Sequence, residues 1–157
     1  MNIELLKLFN KQINQEFYTG YLYYAMSTYF DKVMMKSFSM YMKHLSSIEL
    51  KLAQQMHDYL ILRDEKLEFL KIDEPILNWT DTTDIFSKGF IQGRILLDEF
   101  KNLYSFAKNC NDIGAVEFIV KIVNQKTKSL DKWKNMITLL KKDKVTSLNF
   151  KDSFCKI

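Results

Sequence analysis

The sequence predicts an all-α protein, an antiparallel four-helix bundle in which one long crossover joins the second helix to the third. Apolar residues recur at helical spacing in four segments of about 25–30 residues each. Only four glycines and one proline occur among 157 residues, which leaves little room for hairpins and tight turns. The middle linker is far longer than the other two, as in bundles with a single crossover. We expect one domain over residues 1–157.

The first two helices are predicted over residues 3–30 and from Ser37 to Leu60. In the first segment no proline and only Gly20 interrupts the pattern. The apolar positions of the first segment are Leu6, Phe9, Ile13, Phe17, Tyr23 and Tyr24, and those of the second are Phe38, Met42, Leu45, Leu52, Met56 and Leu60. This spacing places each set on one face of a helix.

The last two helices are predicted from Phe86 to Ala107 and from Val116 to Leu140, with a break from Asn109 to Gly114. The apolar positions are Phe86, Phe90, Leu97, Phe100, Tyr104 and Ala107 in the third segment, and Val116, Ile119, Val123, Leu130, Trp133, Ile137 and Leu140 in the fourth. The short first and third linkers make each joined pair antiparallel neighbours.

The middle linker and the tail complete the predicted topology. From about Lys66 to Asp81 the helical pattern fails around the only proline, Pro75. About 15 residues are enough to run the length of the bundle as a crossover. The tail from Val145 to Ile157 keeps enough apolar residues to predict a short fifth helix.

Composition and charge exclude several classes of protein. Hydrophobic residues make up 47% and charged residues 27%, which excludes wholesale disorder. The net charge of +4 is too small to imply nucleic-acid binding by itself. Cys110 and Cys155 lie far apart without a CxxC spacing, which excludes a thiolate zinc site and fits a reducing compartment. The acidic, polar start and the absence of a long apolar run predict a cytoplasmic protein with no membrane partner.

Charged residues interrupt the apolar stripes at mid-helix. Glu16 falls between Ile13 and Gly20 in the first helix, at alternating steps of three and four residues. Glu49 occupies the corresponding place in the second helix and Lys126 in the fourth, whereas the third helix offers Gly93 at that level. Charged groups in an apolar core are costly unless they are paired. The alternative is that the register is off by one residue and these acids flank the core.

Carboxylate diiron sites include facing glutamates about halfway along a helical bundle. The segment from Leu8 to Glu16, with its Gln-x-x-x-Glu, the pair Leu22-Tyr23 and the segment from Ile85 to Lys88 resemble the bacterial non-haem ferritins. Glu16 and Glu49 are also 33 residues apart, the spacing of the first two iron ligands in that family. The resemblance implies a cytoplasmic subunit of a hollow, iron-storing 24-subunit cage, with Tyr23 beside the iron site.

The departures from the family fall on the metal ligands. Leu52 stands where the family has a histidine, Gly93 where it has a glutamate, and Lys126 and Ser129 where the fourth helix supplies its ligands. At a third, cavity-side iron position, where the family has acidic residues, this chain has Ile48, Gln125 and Lys128. Two carboxylates are too few for a diiron site, which shares about half a dozen ligands. We therefore expect a degenerate ferroxidase centre with absent or very weak activity, and Glu16 and Glu49 as residual metal ligands.

We hypothesise that the ammonium of Lys126 replaces the metal and neutralises Glu16 and Glu49. Arg94 is a second candidate for the same role. The alternative is that Lys126 extends to the cavity surface and the two acids bind one loose ion. His44 and His57 are 13 residues apart, too far to share an ion, and are expected to have surface or packing roles.

Four lysines are predicted to face the cage interior, where iron-storing members carry acids: Lys51, Lys121, Lys128 and Lys132. Exposed lysines commonly serve only solvation, but inside a closed shell their field would attract anions. The first functional interpretation is a cage subunit for iron storage with little activity of its own, which stores iron oxidised elsewhere or co-assembles with an active ferritin. The second is a cage that binds phosphate or nucleic acid, and the third is an oxidoreductase with a single metal at Glu16 and Glu49.

Overall fold

The computed structural model describes residues 1–142 and 149–150. Helix α1 spans Ile3–Lys32, α2 spans Lys36–Leu62, α3 spans Thr82–Asn109 and α4 spans Ile113–Lys141. The predicted all-α four-helix fold is confirmed, and the helices extend slightly beyond the residues predicted for them. The predicted fifth helix falls almost entirely outside the described residues. None of the described helices is long and apolar enough to cross a membrane.

Side-chain caps explain where three of the helices begin. The side chain of Asn2 accepts hydrogen bonds from the backbone amides at the start of α1. Asp81 does the same for α3 and Asp112 for α4, each through the amide three residues further on. Such caps satisfy N–H groups that have no partner within the helix. The carboxylate of Asp112 also accepts two hydrogen bonds of 2.8 Å from Arg63, which ties the start of α4 to the end of α2.

The crossover, residues 63–81, runs along α1 in the direction of that helix. Near the start of the crossover the side chain of Asn10 accepts a 2.9 Å hydrogen bond from the backbone of Glu68. Near its end the ring of Trp79 contacts that of Tyr29, with centroids 6.2 Å apart. The crossover thus delivers α3 to the far end of α1, and α3 runs antiparallel to α1.

The four helices are not equally close to one another. Helix α1 packs against α2 and α3, and α3 packs against α4, whereas no Cα atom of α2 lies within 8 Å of one in α4. The fourth side of the bundle is therefore wider than the other three. A groove opens there, and its lining comes mainly from α2 and α4.

Two apolar clusters fill the bundle, one towards each end. The first is built around Leu5, Phe9, Ile13, Leu52, Met56, Leu60, Phe100, Leu103, Ile119 and Ile122. The second is built around Leu22, Tyr23, Met26, Phe30, Phe38, Met42, Leu45, Ile85, Phe86, Trp133 and Met136. In α1, α2 and α4 the residues between the two clusters include Glu16, Glu49 and Lys126, respectively. A polar layer therefore separates the two clusters.

Gly89 makes the close packing of the second cluster feasible. A Cβ atom at this position would lie 2.2 Å from the indole ring of Trp133, which is itself buried against Tyr23 and Phe86. Real Cβ atoms do not approach a ring so closely, and a packed indole has little freedom to withdraw. Gly89 is therefore required by the close approach of α3 to Trp133.

We predict that Gly89→Ala lowers the free energy of unfolding by about 1–3 kcal/mol, because the added methyl overpacks the core. Gly114→Ala is the matched control, since the nearest atom to its added Cβ would be 3.6 Å away. There the loss of glycine flexibility should stabilise the helix by up to about 1 kcal/mol. Urea denaturation of both variants measures the difference, and equal effects would contradict the steric explanation.

Candidate functional site

The polar layer at mid-bundle is a triad of charged side chains, Glu16 of α1, Glu49 of α2 and Lys126 of α4. They are 0%, 7% and 6% exposed, respectively. The Nζ of Lys126 donates to Oε2 of Glu16 at 2.8 Å and to Oε2 of Glu49 at 2.5 Å. The structure thus brings together three residues that are 33 and 77 positions apart along the chain. One ammonium bridges two carboxylates that come from different helices.

A fourth side chain, Gln12, completes the hydrogen bonding of Glu16. The amide of Gln12 is buried and its Nε2 donates to Oε1 of Glu16 at 3.0 Å. Both oxygens of the Glu16 carboxylate therefore have a donor, as a buried acid requires. Sequence reasoning noted Gln12 only as part of a motif. Its position one helical turn before Glu16 was the signal for this contact, because residues four apart share a helix face.

Two aromatic side chains lie near the triad. The ring centroid of Phe100 lies 6.0 Å from Nζ of Lys126, at the outer limit of a cation–π contact. Tyr23 is buried, and its hydroxyl donates to the carbonyl of Gly89 at 3.4 Å. Burial raises the pKa of the Tyr23 phenol well above its ordinary value, and the charges of Glu49 and Glu16 raise it further. Tyr23 is therefore a neutral neighbour of the triad.

Burial and charge act in opposite directions on the protons of the triad. Burial raises the pKa of Glu16 from an ordinary 4.5 to about 7; the Lys126 ammonium opposes this shift and the charge of Glu49 adds to it. For Lys126, burial favours loss of the proton, but the two carboxylates outweigh it and hold the pKa of the ammonium above its ordinary value. Lys126 thus stays charged at neutral pH, whereas Glu16 is poised to gain or lose a proton.

The positions where the family resemblance expects further ligands hold side chains that cannot bind a metal ion strongly. Leu52 is buried in the first apolar cluster. A Cβ at Gly93 would lie 3.0 Å from Cδ2 of Leu130, so the space beside it is already filled by a leucine. Ser129 offers only a hydroxyl, at the edge of the groove. The residues present do not fit a pair of iron ions.

The rest of the described chain offers no alternative set of metal ligands. Across residues 1–142 and 149–150, no three His, Cys, Asp or Glu side chains cluster closely enough to hold an ion. His44 is exposed at the groove. His57 packs between the rings of Phe17 and Phe69, at 5.8 and 5.0 Å. Neither histidine takes part in the hydrogen bonds of the triad.

The prediction that Arg94 could neutralise the buried acids is wrong, because the Arg94 side chain is exposed. Gly93 is buried, and one residue further along a helix turns the side chain by about 100°. Arg94 therefore points away from the polar layer. The interpretation that Lys126 extends to the surface is also wrong for this structure, since its side chain is only 7% exposed.

The lysines proposed to face the interior are exposed, and three of the four line one groove. Lys51, Lys128 and Lys132 belong to the groove between α2 and α4, whereas Lys121 is exposed on α4 outside its lining. The floor of this groove includes Glu49 and Lys126. The positions of the third, cavity-side iron site, Ile48, Gln125 and Lys128, also lie along it. The sequence did not predict this groove, because the distance between two helices does not change the spacing of apolar residues along either of them.

Comparison with known proteins gives one consistent family. A model of the ferritin-like domain, under the family title Ferritin, matches residues 6–143. The bacterial non-heme ferritin of Staphylococcus epidermidis is 28% identical over 116 residues, which cover 74% of this chain and 70% of that protein. The corresponding protein of Staphylococcus saprophyticus is 27% identical over 119 residues, covering 76% and 71%.

A solved structure shows the same fold. The open pore ferritin from the hyperthermophilic archaeon Archaeoglobus fulgidus superposes with a TM-score of 0.91, and the match covers 98% of this chain and 96% of that one. The sequence identity is 23%. The likeness therefore extends over the whole bundle, while most side chains differ.

We predict that Lys126→Leu lowers the free energy of unfolding by about 3–5 kcal/mol, because it leaves two buried carboxylates without their cation. Replacing Glu16 and Glu49 by glutamine in the same chain should recover most of this loss, since no buried charge then remains. Lys134→Leu, an exposed change on the same helix, is the control and should shift stability by less than about 0.5 kcal/mol. A Lys126→Leu protein that melts like the parent would contradict the pairing.

We also predict a dependence of stability on pH that Glu16 causes. The pKa of the Glu16 carboxyl is about 7 in the folded protein, above its ordinary value of 4.5. Between these two pH values the folded protein therefore keeps a proton on Glu16 that the unfolded chain has lost. The free energy of unfolding should therefore fall as pH rises through this window, by roughly 3 kcal/mol. Denaturation at pH 5 and pH 8 should show a smaller fall for Glu16→Gln, whereas the exposed Glu4→Gln should behave like the parent. Identical slopes in all three proteins would exclude this origin.

Proposed function

The chain belongs to the ferritin family, and from that premise we propose that it is a subunit of a hollow homo-oligomeric cage that stores iron without oxidising it. The observation that carries the proposal is the position of Lys126, whose Nζ lies 2.8 Å and 2.5 Å from the two carboxylates that remain of a metal site. A fixed cation there occupies the space of an ion and repels Fe²⁺ electrostatically. Iron is cargo for this protein rather than a resident of the bundle.

Iron would then reach the store by one of two routes. It enters after oxidation elsewhere, or the chain co-assembles with an active ferritin subunit that supplies oxidation. The family resemblance supports a cage of 24 copies in the cytoplasm. In either route the contribution of this chain is to enclose a compartment, and its interior surface determines what collects there.

A second candidate function is the binding of phosphate or nucleic acid inside the shell. The observation that favours it is the grouping of Lys51, Lys128 and Lys132 along one groove, with Lys121 exposed nearby. Where an iron-storing member would carry acids, these lysines would attract anions. The oxidoreductase with a single metal at Glu16 and Glu49 is the least supported reading, because Lys126 already bonds both carboxylates.

The test is oxygen consumption after addition of Fe²⁺ to the assembled protein. We predict a rate no higher than that of Fe²⁺ in buffer, with the Staphylococcus epidermidis relative as the comparison protein. A variant that combines Leu52→His, Gly93→Glu, Lys126→Gln and Ser129→Glu restores ligand types at the family positions and should oxidise Fe²⁺ faster than its parent.

Three outcomes separate the candidate functions. Slow oxidation together with uptake of preformed Fe³⁺ supports storage without oxidation. Salt-sensitive retention of phosphate or DNA without iron uptake favours the anion-binding shell. Rapid oxidation by the unaltered chain, with iron bound between Glu16 and Glu49, would overturn the proposal.

A further inference from the structure

We propose that the groove between α2 and α4 binds a small amphiphilic anion, an acyl chain that ends in a single carboxylate. This goes beyond the storage of iron, and it differs from inorganic phosphate or nucleic acid in requiring an apolar body. The groove belongs to one subunit, so the inference does not rest on what the cage stores. Its shape, its apolar lining and its charge each support this occupant.

The shape of the groove is that of a ligand site. The helices α2 and α4 have no Cα atoms within 8 Å of each other, and the space between them encloses about 750 Å³ in the described part of the chain. Binding sites for small organic molecules typically have volumes of about 300–1,000 Å³. The groove is therefore wide enough for an acyl chain lying along the bundle.

The lining of the groove is mainly apolar, although it faces solvent. Met40 and Ile48, on the open side of α2, are 51% and 45% exposed. Leu45 and Leu52 lie deeper and form part of the floor. Leu52 is the residue that stands in place of a metal-binding histidine, so the change that removes a ligand also extends the apolar floor. An acyl chain would remove this apolar surface from water, which is favourable.

The charges of the groove select an anion. Lys51, Lys128 and Lys132 contribute three exposed ammonium groups, and among the described residues that line the groove Glu49 is the only acid. The carboxylate of Glu49 is paired with Lys126, and even with Glu16 ionised the triad carries only one net negative charge. The described residues thus give the groove a net positive charge of at least two.

Each feature favours an amphiphilic anion over a simpler occupant. Inorganic phosphate would contact the lysines but would leave the apolar lining in water. A neutral apolar molecule would cover the lining but would leave the lysines without a counter-charge. A carboxylate head among the lysines with an acyl chain along Leu45, Ile48 and Leu52 uses both.

The test is isothermal titration calorimetry of the assembled, iron-free protein with decanoate, 1-decanol and inorganic phosphate. Decanoate should bind once per chain and more tightly than either of the other two. Changing Lys128 and Lys132 together to glutamine should weaken decanoate binding by about tenfold, on the scale of one to two exposed ion pairs. The same change should leave binding of 1-decanol nearly unaltered.

Two further variants make the result specific. Ile48→Trp fills the groove from a half-exposed position and should abolish binding of both decanoate and 1-decanol, with circular dichroism to verify folding. Lys134→Gln, on α4 but outside the lining, is the matched charge control and should bind decanoate like the parent. Decanoate binding that is absent, that survives both groove variants, or that is matched by phosphate alone would overturn the proposal. Because no iron is present, this result is independent of the oxygen-consumption test.

Discussion

The ammonium of Lys126 joins the middle of the bundle by bonding two buried carboxylates from different helices. The backbone of α4 comes close only to that of α3, yet Lys126 reaches across the core to Glu16 on α1 and Glu49 on α2. Taking these groups out of water is costly, and removing Lys126 would leave both carboxyl groups without their partner. The triad therefore acts as a unit. It also sits between two apolar clusters, so that its geometry sets the level at which α4 meets the other helices.

Much of this organisation is visible in the sequence because it repeats with the period of a helix. Glu16, Glu49 and Lys126 each interrupt an apolar stripe at mid-helix, and their burial follows from the steps of three and four residues around them. The same rule, applied strictly, would have excluded Arg94, since Gly93 already occupies the inward position. The hydrogen bond of Gln12 to Glu16 was equally within reach, because four residues separate them.

Other features depend on distances between helices, which no periodicity records. The gap between α2 and α4 and the close approach of α3 to Trp133 at Gly89 are both distances of this kind. The course of the crossover along α1 depends on side chains such as Asn10, which bond backbone groups more than fifty residues away. Sequence reasoning predicted the length of that segment from Pro75 and the failed pattern, but not the surface it follows.

The internal cation has a consequence for how the subunit responds to its surroundings. A bundle that needs metal ions to neutralise its buried acids is most stable when those ions are plentiful, because ligand binding and folding are thermodynamically linked. Here the neutralising charge is part of the covalent chain and is present at a fixed one-to-one ratio. We therefore expect this polypeptide to fold equally well whether metal ions are scarce or abundant.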